Sequence, residues 1–119
     1  MERRRRARII GRVAGGDLDS DAVLGNVRRL CDLPSAPLGD VERVLTDGYA
    51  CVLRTEDERR RLRGRLQERA VAVSSAGSPD EAVEIRTLAQ GIARADSEIE
   101  ELRAALRSLA AKASSLRVA

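Results

Sequence analysis

Histidine, tryptophan and phenylalanine are absent from this sequence, and Tyr49 is its single aromatic residue. Without histidine the chain lacks the commonest general base and the commonest metal ligand. Without aromatics it lacks the side chains that supply most of the buried area in a compact small core and those that stack on unpaired bases. The core must then come from Leu, Ile, Val and Ala, which suits helix packed on helix. No apolar run is long enough to span a bilayer. Only two cysteines occur, Cys31 and Cys51, at a spacing that matches no metal or redox motif. They read as two small apolar residues, with their redox state left open. Gly15-Gly16 is not followed by the Lys-Ser/Thr of a phosphate-binding loop. A non-enzymatic protein without metal or cofactor is expected.

Lysine is nearly missing too. Of the 22 basic residues all but Lys112 are arginine, and with 19 acids the formal net charge is +3. So near a balance does not imply nonspecific polyanion binding by the whole surface. The arginine preference reads as coding bias rather than as selection for phosphate. Residues 1–15 have the basic start of a signal peptide, but Arg12 interrupts the apolar stretch from Ala7 to Gly15. A cytoplasmic protein is expected.

What is present is organised around the last forty residues. Ile85, Leu88, Ile92, Ala95, Ile99, Leu102, Leu106, Leu109, Ala113 and Leu116 follow one another at alternating three- and four-residue steps. A repeat averaging about 3.5 residues draws one stripe along one side of a long helix. Ser78-Pro79-Asp80-Glu81 starts that helix with a Ser cap, a Pro in the first turn and an acid placed to complete a capping box. A second long helix is expected from about Leu38 to about Val73, with Leu38, Val41, Leu45, Gly48, Val52, Thr55, Arg59, Leu62, Leu66, Arg69 and Val73 on its seam. Val44 and Cys51 flank that seam on one side, Tyr49 and Leu53 on the other. This wide apolar face needs more than one neighbour.

The rest fits around these two helices. Residues 1–16 form a basic arm with Arg3, Arg4, Arg5, Arg6 and Arg8, followed by Ile9, Ile10 and Val13. It reads either as a terminus whose last turn docks Ile10 and Val13 or as an arm for nucleic acid or anionic lipid. Residues 17–33 read as a short helix, capped by Asp17, Asp19 or Ser20, with Val23, Leu24, Val27, Leu30 and Cys31 on one face. It is the candidate to cover the wide face. Pro34 and Pro37 break the chain before the second helix.

The link 74–77 is short enough to force an antiparallel hairpin over 38–118. Leu45 should then meet Leu106, Val52 should meet Ile99, Leu66 should meet Ile85 or Leu88, and Gly48 should face Ala104 and Ala105. The expected fold is all-α: a long antiparallel coiled-coil hairpin with the short helix at its base. One narrow seam leaves a thin stability margin, so closure as a dimeric bundle is expected. The interaction seam comprises Leu45, Val52, Leu62, Leu66, Ile85, Leu88, Ile92, Ile99, Leu102, Leu106, Leu109 and Leu116.

Arg59, Arg60, Arg61, Arg63, Arg65 and Arg69 crowd the second helix near its tip. Glu56, Asp57 and Glu58 can answer some of them within the helix, whereas the facing stretch 87–93 has no acid. The cluster is either a solvated face or, with the arm arginines, a patch for an anionic partner. Asp96, Glu98, Glu100 and Glu101 read as a solvated outer face. The expected function is protein–protein interaction as a scaffold, adaptor or assembly subunit and homo-oligomer. The alternatives are a nucleic-acid-associated protein and a small helical secretion or assembly chaperone.

Overall fold

Two of the three described helices begin where the sequence places a side-chain oxygen to receive free backbone N–H groups. Asp19 caps the first helix, α1, which spans Ser20–Asp32; its carboxylate accepts from the Asp21 N–H at 3.1 Å. The third helix, α3, spans Pro79–Val118. At its start the Ser78 hydroxyl accepts from the Glu81 N–H at 3.1 Å, and the Glu81 carboxylate accepts from the Ser78 N–H at 2.8 Å. This reciprocal pair is the capping box. Gly77, just before it, has φ 48°, a left-handed conformation in which a side chain would be strained. The second helix, α2, spans Leu38–Ala72 and starts directly after Pro37, whose carbonyl accepts from the Val41 N–H. The computed structural model describes residues 19–72 and 77–118, which are all-α. The basic arm with Arg3, Arg4, Arg5 and Arg6, the residue Val73 and the link residues 74–76 lie outside them.

Contacts between α2 and α3 run in opposite order along the two helices. Early α2 lies beside late α3, where Glu42 pairs with Arg117 at 3.0 Å; late α2 lies beside early α3, where Arg69 pairs with Glu84 at 3.0 Å. At about 1.5 Å per residue both helices exceed 50 Å, in keeping with a longest dimension of 64 Å.

The core lies at one end. Val23, Val27 and Leu30 of α1 come from positions one turn apart and sink between Val41, Leu45, Cys51 and Val52 of α2 and Ile99, Leu102, Leu106, Leu109 and Ala113 of α3. Burying each Leu, Ile or Val here is worth about 1.5–3 kcal/mol. Thr55 is the one buried polar side chain among the described residues, and its hydroxyl donates to the Cys51 carbonyl at 2.9 Å, so a polar seam residue costs little.

Two expectations are corrected in this core. Gly48 faces Leu106 rather than Ala104 and Ala105: a Cβ on Gly48 would stand 3.2 Å from Leu106 Cγ. Helical side chains lean toward their own N-terminus, so Leu106 covers the turn before it. The second correction concerns the wide face of α2. Val44 and Cys51 pack into the core, but Tyr49 is 49% exposed and Leu53 66% exposed with α1 in place. A single 13-residue helix fills one groove of the α2–α3 pair and leaves the opposite flank open.

Candidate interaction surface

Burial along the α2–α3 seam changes where α1 ends. Leu45, Val52, Ile99, Leu102, Leu106 and Leu109 are buried. Leu62, Leu66, Ile85 and Ile92, of the same residue types and on the same stripe, are only half-buried, as is Leu116 at the far end of α3. Leu88 and the small Ala95 are exceptions, buried without joining the main core. α1 begins at Ser20, whose hydroxyl sits 3.5 Å from the Cys51 thiol. From there toward the tip, α2 and α3 have only each other among the described residues. Two helices in contact cannot enclose a seam that three enclose, so the outer edges of these side chains stay in water.

The groove that α1 occupies continues past its N-terminus. Glu58 of α2 and Glu98 of α3 flank it there, close to Asp19 and Asp21 of α1. Farther out, Leu62 lies against Gly91, where an added Cβ would stand 3.2 Å from a Leu62 methyl. The Arg69–Glu84 pair closes the series near the tip. Residues 58, 62, 65 and 69 repeat at three- and four-residue steps, so they share one face of α2.

The tip arginines are distributed rather than pooled. Arg59 donates to Asp96 at 2.7 Å, with Arg63 3.7 Å from the same carboxylate oxygen. Arg60 donates to Asp57 at 2.9 Å, and Arg61 reaches the other oxygen of that carboxylate. Asp96 and Glu84, which answer Arg59, Arg63 and Arg69, lie on α3 just outside the acid-free stretch 87–93. Arg65 is exposed and has no acidic partner among the described residues. Exposed pairs of this kind contribute about 0–1 kcal/mol each, so they fix register more than stability.

The acids of α3 are not one uniform outer face. Asp96 is engaged with Arg59 and Arg63, and Glu101 lies 3.8 Å from Arg28 of α1. Glu98 is half-buried at the start of α1. Its carboxyl is pushed above the usual carboxylate range, first by burial and then by Asp21, Glu58 and Asp19, with Arg94 opposing. On the opposite flank, ion pairs from Glu42 to Arg117 and from Glu56 to Arg103 bracket the exposed Tyr49 and Leu53.

Sequence reasoning missed Lys112. Its ammonium donates to the carbonyls of Leu30 at 2.8 Å, of Cys31 at 3.2 Å, and of Leu33. Three donors on one nitrogen converge on the C-terminus of α1, where the helix leaves carbonyls without partners and its dipole is negative. The signal was its solitude: one lysine among arginines marks a place where a compact ammonium fits and a planar guanidinium does not. Cys31, beside it, is a free thiol, as is the buried Cys51. Burial raises the Cys31 thiol pKa, Lys112 opposes this and Asp32 adds to it. A thiol held protonated is a poor nucleophile.

Among the described residues no group of three or more His, Cys, Asp or Glu is placed to hold a metal ion, and no helix is long and apolar enough to cross a membrane. Comparison with family models found no match to this chain, and comparison with curated proteins and with solved structures found none either.

Proposed function

We propose that this chain is a non-enzymatic protein–protein interaction module, a scaffold, adaptor or assembly subunit built as an antiparallel coiled-coil hairpin that closes as an oligomer. One observation carries the reading. The stripe that is buried in the three-helix base continues as half-exposed Leu62, Leu66, Ile85 and Ile92 in the two-helix projection. A heptad stripe whose outer edge lies in water gains stability from a further helix laid along it, because covering apolar surface is favourable by about 25 cal/mol per Å². The two free cysteines fit the reducing cytoplasm.

The nucleic-acid alternative is less favoured because Arg59, Arg60, Arg61 and Arg63 already face carboxylates. It predicts an affinity that falls steeply with salt as bound counterions are released.

The test is photo-crosslinking in extracts of the native host. A photoreactive residue replacing Leu66 is expected to capture protein, the same residue replacing exposed Glu100 is not, and duplex DNA and RNA are expected to bind weakly at ~150 mM salt. Submicromolar nucleic-acid binding under those conditions, or capture no greater at 66 than at 100, refutes the proposal.

A further inference from the structure

α1 fills only the inner part of its groove, and the direction of the chain points along the rest. The helix runs from Ser20, beside Cys51, to the end that Lys112 holds at the base. The chain before Asp19 therefore enters at the mouth of the open groove, on the tip side of α1. Asp19, Asp21, Glu58 and Glu98 gather at that mouth, with Arg94 beside Glu98 as the opposing charge. Toward the tip the signs balance: Arg65 and Arg69 stand with Glu68 and Glu84 around a cleft of about 230 Å³. Between mouth and tip lie half-buried Leu62 and Gly91, whose missing side chain lets another backbone approach. The groove is thus apolar along its middle and acidic where the chain enters it.

We propose that residues 1–18, which precede the described residues, occupy this groove in their own chain, running from its mouth toward the tip. Three features favour this occupant. The first is charge. Residues 1–18 carry six arginines against two acids, Glu2 and Asp17, and so bring to the mouth the charge it lacks. The second is pattern. Ile9, Ile10 and Val13 stand at spacings that fall on one side of a helix, an apolar face for Leu62 and Leu66 to meet. The third is reach. Val13 and Ile9 are about 9 and 15 Å from Asp19 along a helical path and farther along an extended one, while Leu62 and Leu66 are about 6 and 12 Å beyond Glu58. The tether also decides between this segment and a separate molecule. A short flexible tether holds its segment at an effective concentration of about millimolar, so a contact smaller than the ~1,000 Å² of a specific interface suffices in cis. The inference goes beyond the interaction reading above. It gives one side of the α2–α3 seam to the chain itself and leaves the opposite side, with exposed Tyr49 and Leu53, to the partner.

Photo-crosslinking of the purified full chain tests it. A photoreactive residue replaces either Arg65, exposed on the groove, or Glu100, exposed on the outer face. Isotopically light and heavy chains are mixed, so that crosslinks within a chain and between chains differ in mass. Position 65 should crosslink to residues 7–14 of the same chain, at least about tenfold more often than position 100 does. Two variants of the segment separate its apolar and charged contributions. Ile9→Ser with Ile10→Ser and Val13→Ser should lower the yield at position 65 at least about fivefold, and so should Arg4→Glu with Arg6→Glu and Arg8→Glu. Both sets lie outside the three helices, and an unchanged circular dichroism spectrum shows that the fold is kept.

A yield at position 65 no higher than at position 100 overturns the proposal. So do crosslinks that join only light chains to heavy ones, which place the segment of a second copy in the groove, and so does a yield that neither variant moves. The outcome is separate from that of the interaction reading. Capture of a different protein at position 66 in extracts, without crosslinks in cis from position 65, would leave that reading standing while the docked segment failed. Crosslinks in cis from position 65 with no protein captured at position 66 would do the reverse.

Discussion

Replacing Lys112 by methionine keeps the aliphatic stem and removes the ammonium that holds the end of α1. The loss is estimated from the contacts it makes. Hydrogen bonds from a charged donor contribute about 1.5–3 kcal/mol. Water can reach Leu33, an exposed residue, and replaces part of what its carbonyl loses, so the lower part of that range applies. We expect a destabilisation of about 1.5–2 kcal/mol, or about 6–12 °C in Tm for a domain of this size. α1 should register it most, because a 13-residue helix is marginal without tertiary support. Lys112→Arg should fall between the two. Its charge retains the dipole term, about 0.3–1 kcal/mol, but its planar fork cannot converge on three carbonyls. Urea denaturation followed by circular dichroism gives the free energies, and amide exchange at Val23, Val27 and Leu30 localises the effect. A Lys112→Met variant within about 0.3 kcal/mol of wild type, or a Lys112→Arg variant equal to wild type, would refute the assignment.

Other substitutions separate the roles of base and projection. Gly48→Ala should be destabilising by about 0–2 kcal/mol, since crowding Leu106 costs about 1–3 kcal/mol and the gain in helix propensity returns about 1 kcal/mol. Gly64→Ala, with nothing near its added Cβ, should stabilise by about 0.5–1 kcal/mol; thermal melts of the two variants check the contrast. Leu106→Asp should abolish most helical signal by setting a charge in the base core, whereas Glu100→Ala on the exposed face should leave it unchanged. The raised pKa of Glu98 means that the folded state holds its proton more tightly than the unfolded chain does. Its stabilising contribution is therefore present below the ordinary carboxyl pKa and is lost as pH rises through the folded value. Glu98→Gln should raise stability at pH 7 relative to wild type and lose that advantage near pH 4. A flat difference between the two pH values would contradict the linkage.

Local signals wrote most of the helices into the sequence. The Ser78–Glu81 capping box, the Asp19 cap and the break at Pro34 and Pro37 each act within four residues, so the helix ends are readable from a few side chains. The seam is readable for a similar reason, because a stripe at about 3.5-residue spacing has one geometric meaning. What was not readable depends on α1. Nothing in the spacing of Val44, Cys51, Tyr49 and Leu53 says which flank a third helix takes. The choice follows from a turn of chain at Pro34–Pro37 that delivers α1 to the Cys51 side. Glu98 looked like its outer-face neighbours for the same reason: the carboxylates of Asp21 and Asp19 that act on it belong to the start of α1, distant in sequence.

The length of α1 divides the molecule into two physical regimes. Where α1 lies along the groove, Leu102, Leu106 and Leu109 are sealed, and Lys112 fixes the far end of the helix. Where it stops, the same pattern of Leu and Ile continues with one wall fewer. A stripe maintained at that spacing beyond its intramolecular cover is not needed to build the base. Propensity alone would be satisfied by alanine or glutamine at positions 62, 66, 85 and 92, at no cost in exposed apolar surface. Leu62, Leu66, Ile85 and Ile92 therefore carry a requirement of the projection itself. The test is to change them without touching the base: Leu62→Gln with Leu66→Gln should leave the core of α1 intact by amide exchange while abolishing crosslinking from a photoreactive residue placed at Ile85, on the facing helix. If the pair unfolds the base as well, the two halves form one cooperative unit and the projection serves stability rather than contact.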